Sequence, residues 1–183
     1  AFREAARLAP EMYWTWGELA EAAAYVAGEE ALARDSLLRA IDLAEQATAA
    51  TPADARLHAD LARYLSQAGR LGEALNSAER AAELAPRSPD AQAALARHLS
   101  QAGRLGEALP RAERAADPAP RSPDAHAARA LVLARAGDTA RALEALEAAV
   151  ALGYNPAYLA ADPRWNELQS EERCLALLNT PAA

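Results

Sequence analysis

The chain has 183 residues, a net charge of −7, one cysteine and 19 basic residues, all of them arginine. The lack of lysine excludes a Walker A phosphate loop, a pyridoxal Schiff base and a kinase-type catalytic lysine within this segment. Cys174 alone makes neither an internal disulfide nor a cysteine zinc site, and the acidic balance speaks against nucleic acid, whose phosphates ask for a basic face.

Alanine supplies roughly 30% of the residues and Ile41 is the one isoleucine, a composition that favours helix and predicts an all-α chain. No leader-like segment and no long apolar run occurs, so no membrane insertion is expected and a cytoplasmic location is the default. Residues 61–91 recur at 95–125 with 26 of 31 positions identical, displaced by 34 residues, and a more diverged copy follows from Pro123 to Pro156. That period predicts stacked helix pairs.

Taken in chain order, residues 1–12 read as the second helix of a truncated repeat, with Phe2, Ala5 and Pro10 where Ala78, Ala81 and Pro86 fall in the clean copy. The expectation is a piece of a longer, bacterial-looking protein. Residues 13–54 read as an atypical repeat: one helix carries the stripe Trp16, Leu19, Ala20 and Ala23, and a second begins near Ser36 and ends before Pro52. Between them the insertion GEEALARD is expected either to extend both helices or to protrude as a loop.

The first clean copy, 55–88, predicts helix A from about Ala55 to Ala68, with His58, Leu61, Ala62 and Leu65 on one stripe. Gly69 is its left-handed terminator, and helix B runs from about Gly72 to Leu84 with Ala74, Ala78 and Ala81 inward. Ser88 is read as an N-cap, Pro89 as the first helical position and Asp90 as the acid at the positive helix end. In the second copy, 89–122, Pro110 is expected to be tolerated and Pro118 to end helix B about one turn early.

The diverged copy, 123–156, places Arg129 where Leu61 and Leu95 stand, to be met by a carboxylate or by snorkelling to water. Residues 157–183 are read as a C-terminal cap. Asp162 and Pro163 start a helix there, and Trp165, Leu168, Cys174, Leu175 and Leu178 form its apolar face.

The spacing of Leu61, Ala62, Gly69, Ala74, Ala81 and Pro86, repeated at Leu95, Ala96, Gly103, Ala108, Ala115 and Pro120, resembles the tetratricopeptide repeat across about residues 55–156. The resemblance implies a right-handed α-solenoid of antiparallel helix hairpins whose A helices line a concave, peptide-binding groove. Carried onto this chain, the groove residues are Arg56, Ala59, Asp60, Arg63, Ser66 and Gln67, then Asp90, Ala93, Ala94, Arg97, Ser100 and Gln101. In the diverged copy they are Asp124, Ala127, Ala128, Leu131, Ala134 and Arg135.

Arg63 and Arg97 would stack roughly 10 Å apart and suit an acidic peptide or a free carboxylate. The competing reading pairs them with Asp60 or neighbouring acids on a solvated face. With Trp16 at the fourth position of its repeat, Trp14 falls at the second, the groove position of Arg56, where an exposed indole is a binding anchor unless the insertion or an upstream helix covers it.

For catalysis the sequence offers little. His58, His98 and His126 lack metal-ligand spacing, no nucleophile or dinucleotide motif occurs, and Cys174 is expected to be buried. No enzyme activity and no cofactor are expected. The reading is a protein-binding scaffold, with a self-association module or a regulatory segment of an enzyme as the alternatives.

Overall fold

The structure is a computed structural model that describes residues 2–117, 122–156, 159 and 165–178, and among these every regular element is one of ten helices. The fold is an all-α helical repeat. Its contacts divide the chain into two compact units, Ala1–Ala85 and Pro86–Ala183.

The first unit contains α1 (Phe2–Leu8), α2 (Tyr13–Ala24), α3 (Glu30–Ala50), α4 (Ala55–Gln67) and α5 (Leu71–Leu84). Asp54 starts α4 by accepting backbone N–H bonds from Arg56 and Leu57, which supplies partners for two otherwise unsatisfied donors. Gly69 stops it: φ is +75°, and the N–H of Arg70 donates back to the carbonyl of Leu65 at 2.9 Å. The chain thereby turns into α5 at once, with Ala74, Ala78 and Ala81 buried at the helix crossing. Ile41 of α3 and Leu61, Tyr64 and Leu65 of α4 complete the core, and Tyr13 and Trp16 pack on its margin.

The inserted segment does neither of the things expected of it. Gly28 adopts a left-handed φ of +85°, and Glu30 already begins α3, so residues 30–35 lengthen the second helix of the pair alone, to 21 residues. The segment is rich in Ala, Glu and Arg, which propagate a helix more readily than they make a loop.

The second unit contains α6 (Pro89–Gln101), α7 (Leu105–Ala116), α8 (Pro123–Arg135), α9 (Thr139–Ala151) and α10 (Glu172–Leu178). Ser88 and Ser122 cap α6 and α8 through bonds from the N–H groups of Ala91 and Ala125, each followed by proline at the first helical turn. Helix α7 runs through Pro110 but has 12 residues against 14 in α5. Pro118 and Pro120 lie outside the described residues, as do Asp162 and Pro163.

Ala93, Ala115, Ala125 and Ala128 form a core patch built of methyl groups alone. The larger core joins Leu131, Leu133, Leu143 and Leu146 to Leu159, Trp165, Leu168 and Cys174 of the tail. Tyr154 meets Trp165 edge to face at 6.0 Å. Leu175 is exposed, contrary to expectation; Leu177 turns inward instead, three residues on from Cys174 and so on the same face of α10. The side chain of Leu178 lies outside the described residues. Arg129 is half-buried, with its Nε shielded from solvent and without a hydrogen-bond partner.

Candidate functional site

Helix α4 presents Arg56, Asp60, Arg63 and Gln67 on one face, at a spacing that keeps them on adjacent turns. Helix α2 answers from across the gap. Glu21 forms an ion pair with Arg63 and accepts a 2.9 Å bond from Gln67 Nε2, while the hydroxyl of Tyr13 donates to Asp60 at 2.8 Å. Arg63 also donates to the hydroxyl of Tyr64 at 3.1 Å, and its guanidinium carbon lies 4.6 Å from that ring's centre.

Gly17 of α2 makes room for the ring: a Cβ there would overlap Cε1, Cζ and Oη of Tyr64. Burial works against the charge of Arg63, but Tyr64 and Glu21 outweigh it and hold the guanidinium above its ordinary pKa. Burial, and then the bond to Asp60, push Tyr13 up to about 12, and burial raises Tyr64 as well. Of the expected groove residues in this unit, Arg56 stays exposed, while Asp60, Arg63 and Gln67 are tied to α2.

Trp14 is 51% exposed, beside an exposed Met12. The insertion does not cover it, because those residues were drawn into α3.

In the second unit, Arg97, Ser100 and Gln101 of α6 and Leu131 and Arg135 of α8 line one shallow hollow. All five stand at groove positions read from the sequence. The space it encloses is about 20 Å³.

Its rim carries two guanidinium groups. Arg135 donates to the backbone carbonyl of Ser100 at 3.4 Å and stands 3.9 Å from the carboxylate of Glu167, in the tail. The hydroxyl of Ser100 is buried with no hydrogen-bond partner. Asp90 and Asp124 are exposed near the helix starts, whereas Ala93, Ala127 and Ala128 sink into the core rather than flooring an open surface.

His98 is buried with its Nδ1 3.2 Å from Gln101 Oε1, and His58 Nε2 lies 3.1 Å from the carbonyl of Pro52; both are explained by local structure. Among the described residues no cluster of three or more His, Cys, Asp or Glu is placed to hold a metal. No described helix is long and apolar enough to cross a membrane. Burial raises the pKa of the Cys174 thiol, which disfavours the reactive thiolate.

Glu21 and Glu167 were absent from the sequence reading of the site. With Trp16 at the fourth repeat position, Glu21 falls on the same groove row as Arg63, so its pairing was available from register alone. Nothing periodic places Glu167, which follows the last repeat.

A chain of short helix pairs, each turned by a left-handed glycine and packed through alanine, belongs to the class of helical-repeat proteins. The tetratricopeptide repeat profile matches residues 65–132, so that part of the chain is similar to tetratricopeptide repeats. TTC0263, a thermophilic TPR protein of Thermus thermophilus, is similar at 26% identity and a TM-score of 0.62, over 79% of this chain and 81% of that one.

YrrB, described as a TPR protein with an unusual peptide-binding site, is similar in fold at 19% identity and a TM-score of 0.52, over 97% of this chain and 88% of that one. MamA shares the fold at 18% identity and a TM-score of 0.57, over 84% of this chain and 91% of that one. No curated protein matches the chain significantly.

Proposed function

We propose that this chain is a non-catalytic scaffold that binds an extended peptide or protein segment on its A-helix faces, principally on α6 and α8. The observation that supports the reading is the hollow itself: Arg97, Ser100, Gln101, Leu131 and Arg135 converge there, all from positions that line the groove in this family. Two guanidinium groups above an apolar edge suit a polypeptide with acidic side chains or a free C-terminal carboxylate. YrrB, which shares the fold, carries a peptide-binding site of its own.

A preorganised helical face leaves most of the ordering cost to the ligand, so affinity rests on a few anchors. In this reading residues 13–54, 55–88, 89–122 and 123–156 are the structural repeats, and residues 157–183 cap the last of them.

The reading is tested by affinity capture from source-cell lysate with wild type and with folded Arg97→Glu/Arg135→Glu and Arg63→Glu variants. A protein retained by wild type and by Arg63→Glu but lost from the double variant is the expected result. Retention by all three moves the site off the α6–α8 face.

A second reading, self-association or docking, is supported by the exposure of Trp14 and of Met12, two residues before it in the chain. Sedimentation velocity across a hundredfold concentration range, with Trp14→Ser as the comparison, separates it from the first: a mass that rises with concentration only in wild type supports it.

A further inference from the structure

Resting on that reading of the α6–α8 face, we propose that Glu167 is an internal occupant of the acid site. A carboxylate side chain of the partner would then displace it from Arg135. The two charges approach only to 3.9 Å, beyond hydrogen-bond reach, and their side chains are 41% and 49% exposed. Such a pair is held loosely and is exchanged at little cost. The remaining bond of Arg135, to the Ser100 carbonyl, keeps the guanidinium over the hollow when the tail carboxylate leaves.

The contrast with Arg63 supports the assignment. That guanidinium is bound by Glu21 and by the Tyr64 hydroxyl and lies against the Tyr64 ring, so an incoming acid would have to break several contacts. Arg135 has one weak acid partner among the described residues, and that partner sits on the tail after the last repeat.

The hollow between Arg97 and Arg135 takes only the end of a side chain, and Leu131 supplies an apolar wall for the methylene stem. A glutamate of an extended polypeptide meets these demands. Glu167 itself brings a carboxylate to within 3.9 Å of Arg135. Specificity then follows from competition: a ligand without an acid at this register leaves Glu167 in place.

The test uses the whole chain and a capped two-glutamate peptide as probe, with its glutamine twin as control. The Nε–Hε resonances of the arginines are followed by NMR at constant ionic strength in wild type, Glu167→Gln and Arg135→Gln. The expected result is a response at Arg97 and Arg135 to the glutamate probe alone, with half-saturation about threefold lower in Glu167→Gln, the scale of an exposed ion pair. In Arg135→Gln the Arg97 response should weaken.

Equal half-saturation in wild type and Glu167→Gln overturns the competition while leaving the groove reading standing. A response confined to other arginines, or none at all, overturns the acid site itself. Loss of the groove reading is seen separately, as partner capture that the Arg97→Glu/Arg135→Glu variant does not affect.

Discussion

Arg63 and Arg97 occupy equivalent places in two segments that differ at only five of 31 positions, yet they sit in different surroundings. In the first unit α2 reaches the A-helix face and satisfies it, with Glu21 on Arg63 and Gln67, and Tyr13 on Asp60. In the second unit the same arginine and glutamine border a hollow whose far wall is Leu131 and Arg135. The repeat sequence alone does not make a binding face. The neighbouring A helix decides which groups stand opposite the repeat's polar side chains: Glu21 and Tyr13 in the first unit, Leu131 and Arg135 in the second.

The two copies match in their cores and differ on their faces. Leu61 and Leu95 are both buried in equivalent stripes, so Leu61→Ala and Leu95→Ala should each cost about 2–5 kcal/mol in denaturant unfolding. A large difference between them would mean that the two copies do not share a packing register.

Gly17→Ala strikes the first unit only, because the added Cβ meets the buried Tyr64 ring. A loss of about 1–3 kcal/mol is expected, as for other overpacked sites, and Tyr64→Leu should relieve part of it. If Gly17→Ala is neutral, the tyrosine does not seat against α2 as described.

Alkaline pH separates the units by another route. The Tyr13 hydroxyl is raised from its ordinary 10.0 to about 12, so the stability it contributes is complete below about pH 10 and is lost as pH rises toward 12. Thermal melts across that range should show a steeper loss in wild type than in Tyr13→Phe. Parallel curves would remove the Tyr13–Asp60 bond from the account.

The smallest effect is expected from Glu21→Gln, which removes a half-buried acid that still reaches solvent and should change stability by about 1 kcal/mol or less. It should nevertheless convert the silent face into a responsive one, with Arg63 now shifting when the glutamate probe is added. A silent Arg63 in that variant would show that the ion pair is not what distinguishes the two faces.

Much of this fold was legible because its signals are local. The 34-residue period, the serine and proline at each helix start, and glycines at 69, 103 and 137 are short-range patterns, and each glycine does take a positive φ. The insertion misled because GEEALARD carries no breaker after Gly28, so a sequence that looks added between helices simply continues one.

The A-helix positions were legible too, including all five that line the hollow. Their partners were not, since Glu21 is 42 residues from Arg63 and Glu167 lies in a segment with no period to place it. Burial also depends on neighbours rather than on position: Ala93 and Ala128 share the register of surface residues and are nonetheless enclosed.

The central claim, that ligand binds the α6–α8 face and not the α4 face, is tested most directly by photo-crosslinking from matched positions. A photoreactive residue is placed at Gln101 or at Gln67, with Arg80 on the outer helix as control, and the captured partner is irradiated in complex with each. The account predicts a crosslink from position 101 and none from 67 or 80. A crosslink from 67 with none from 101 would contradict it.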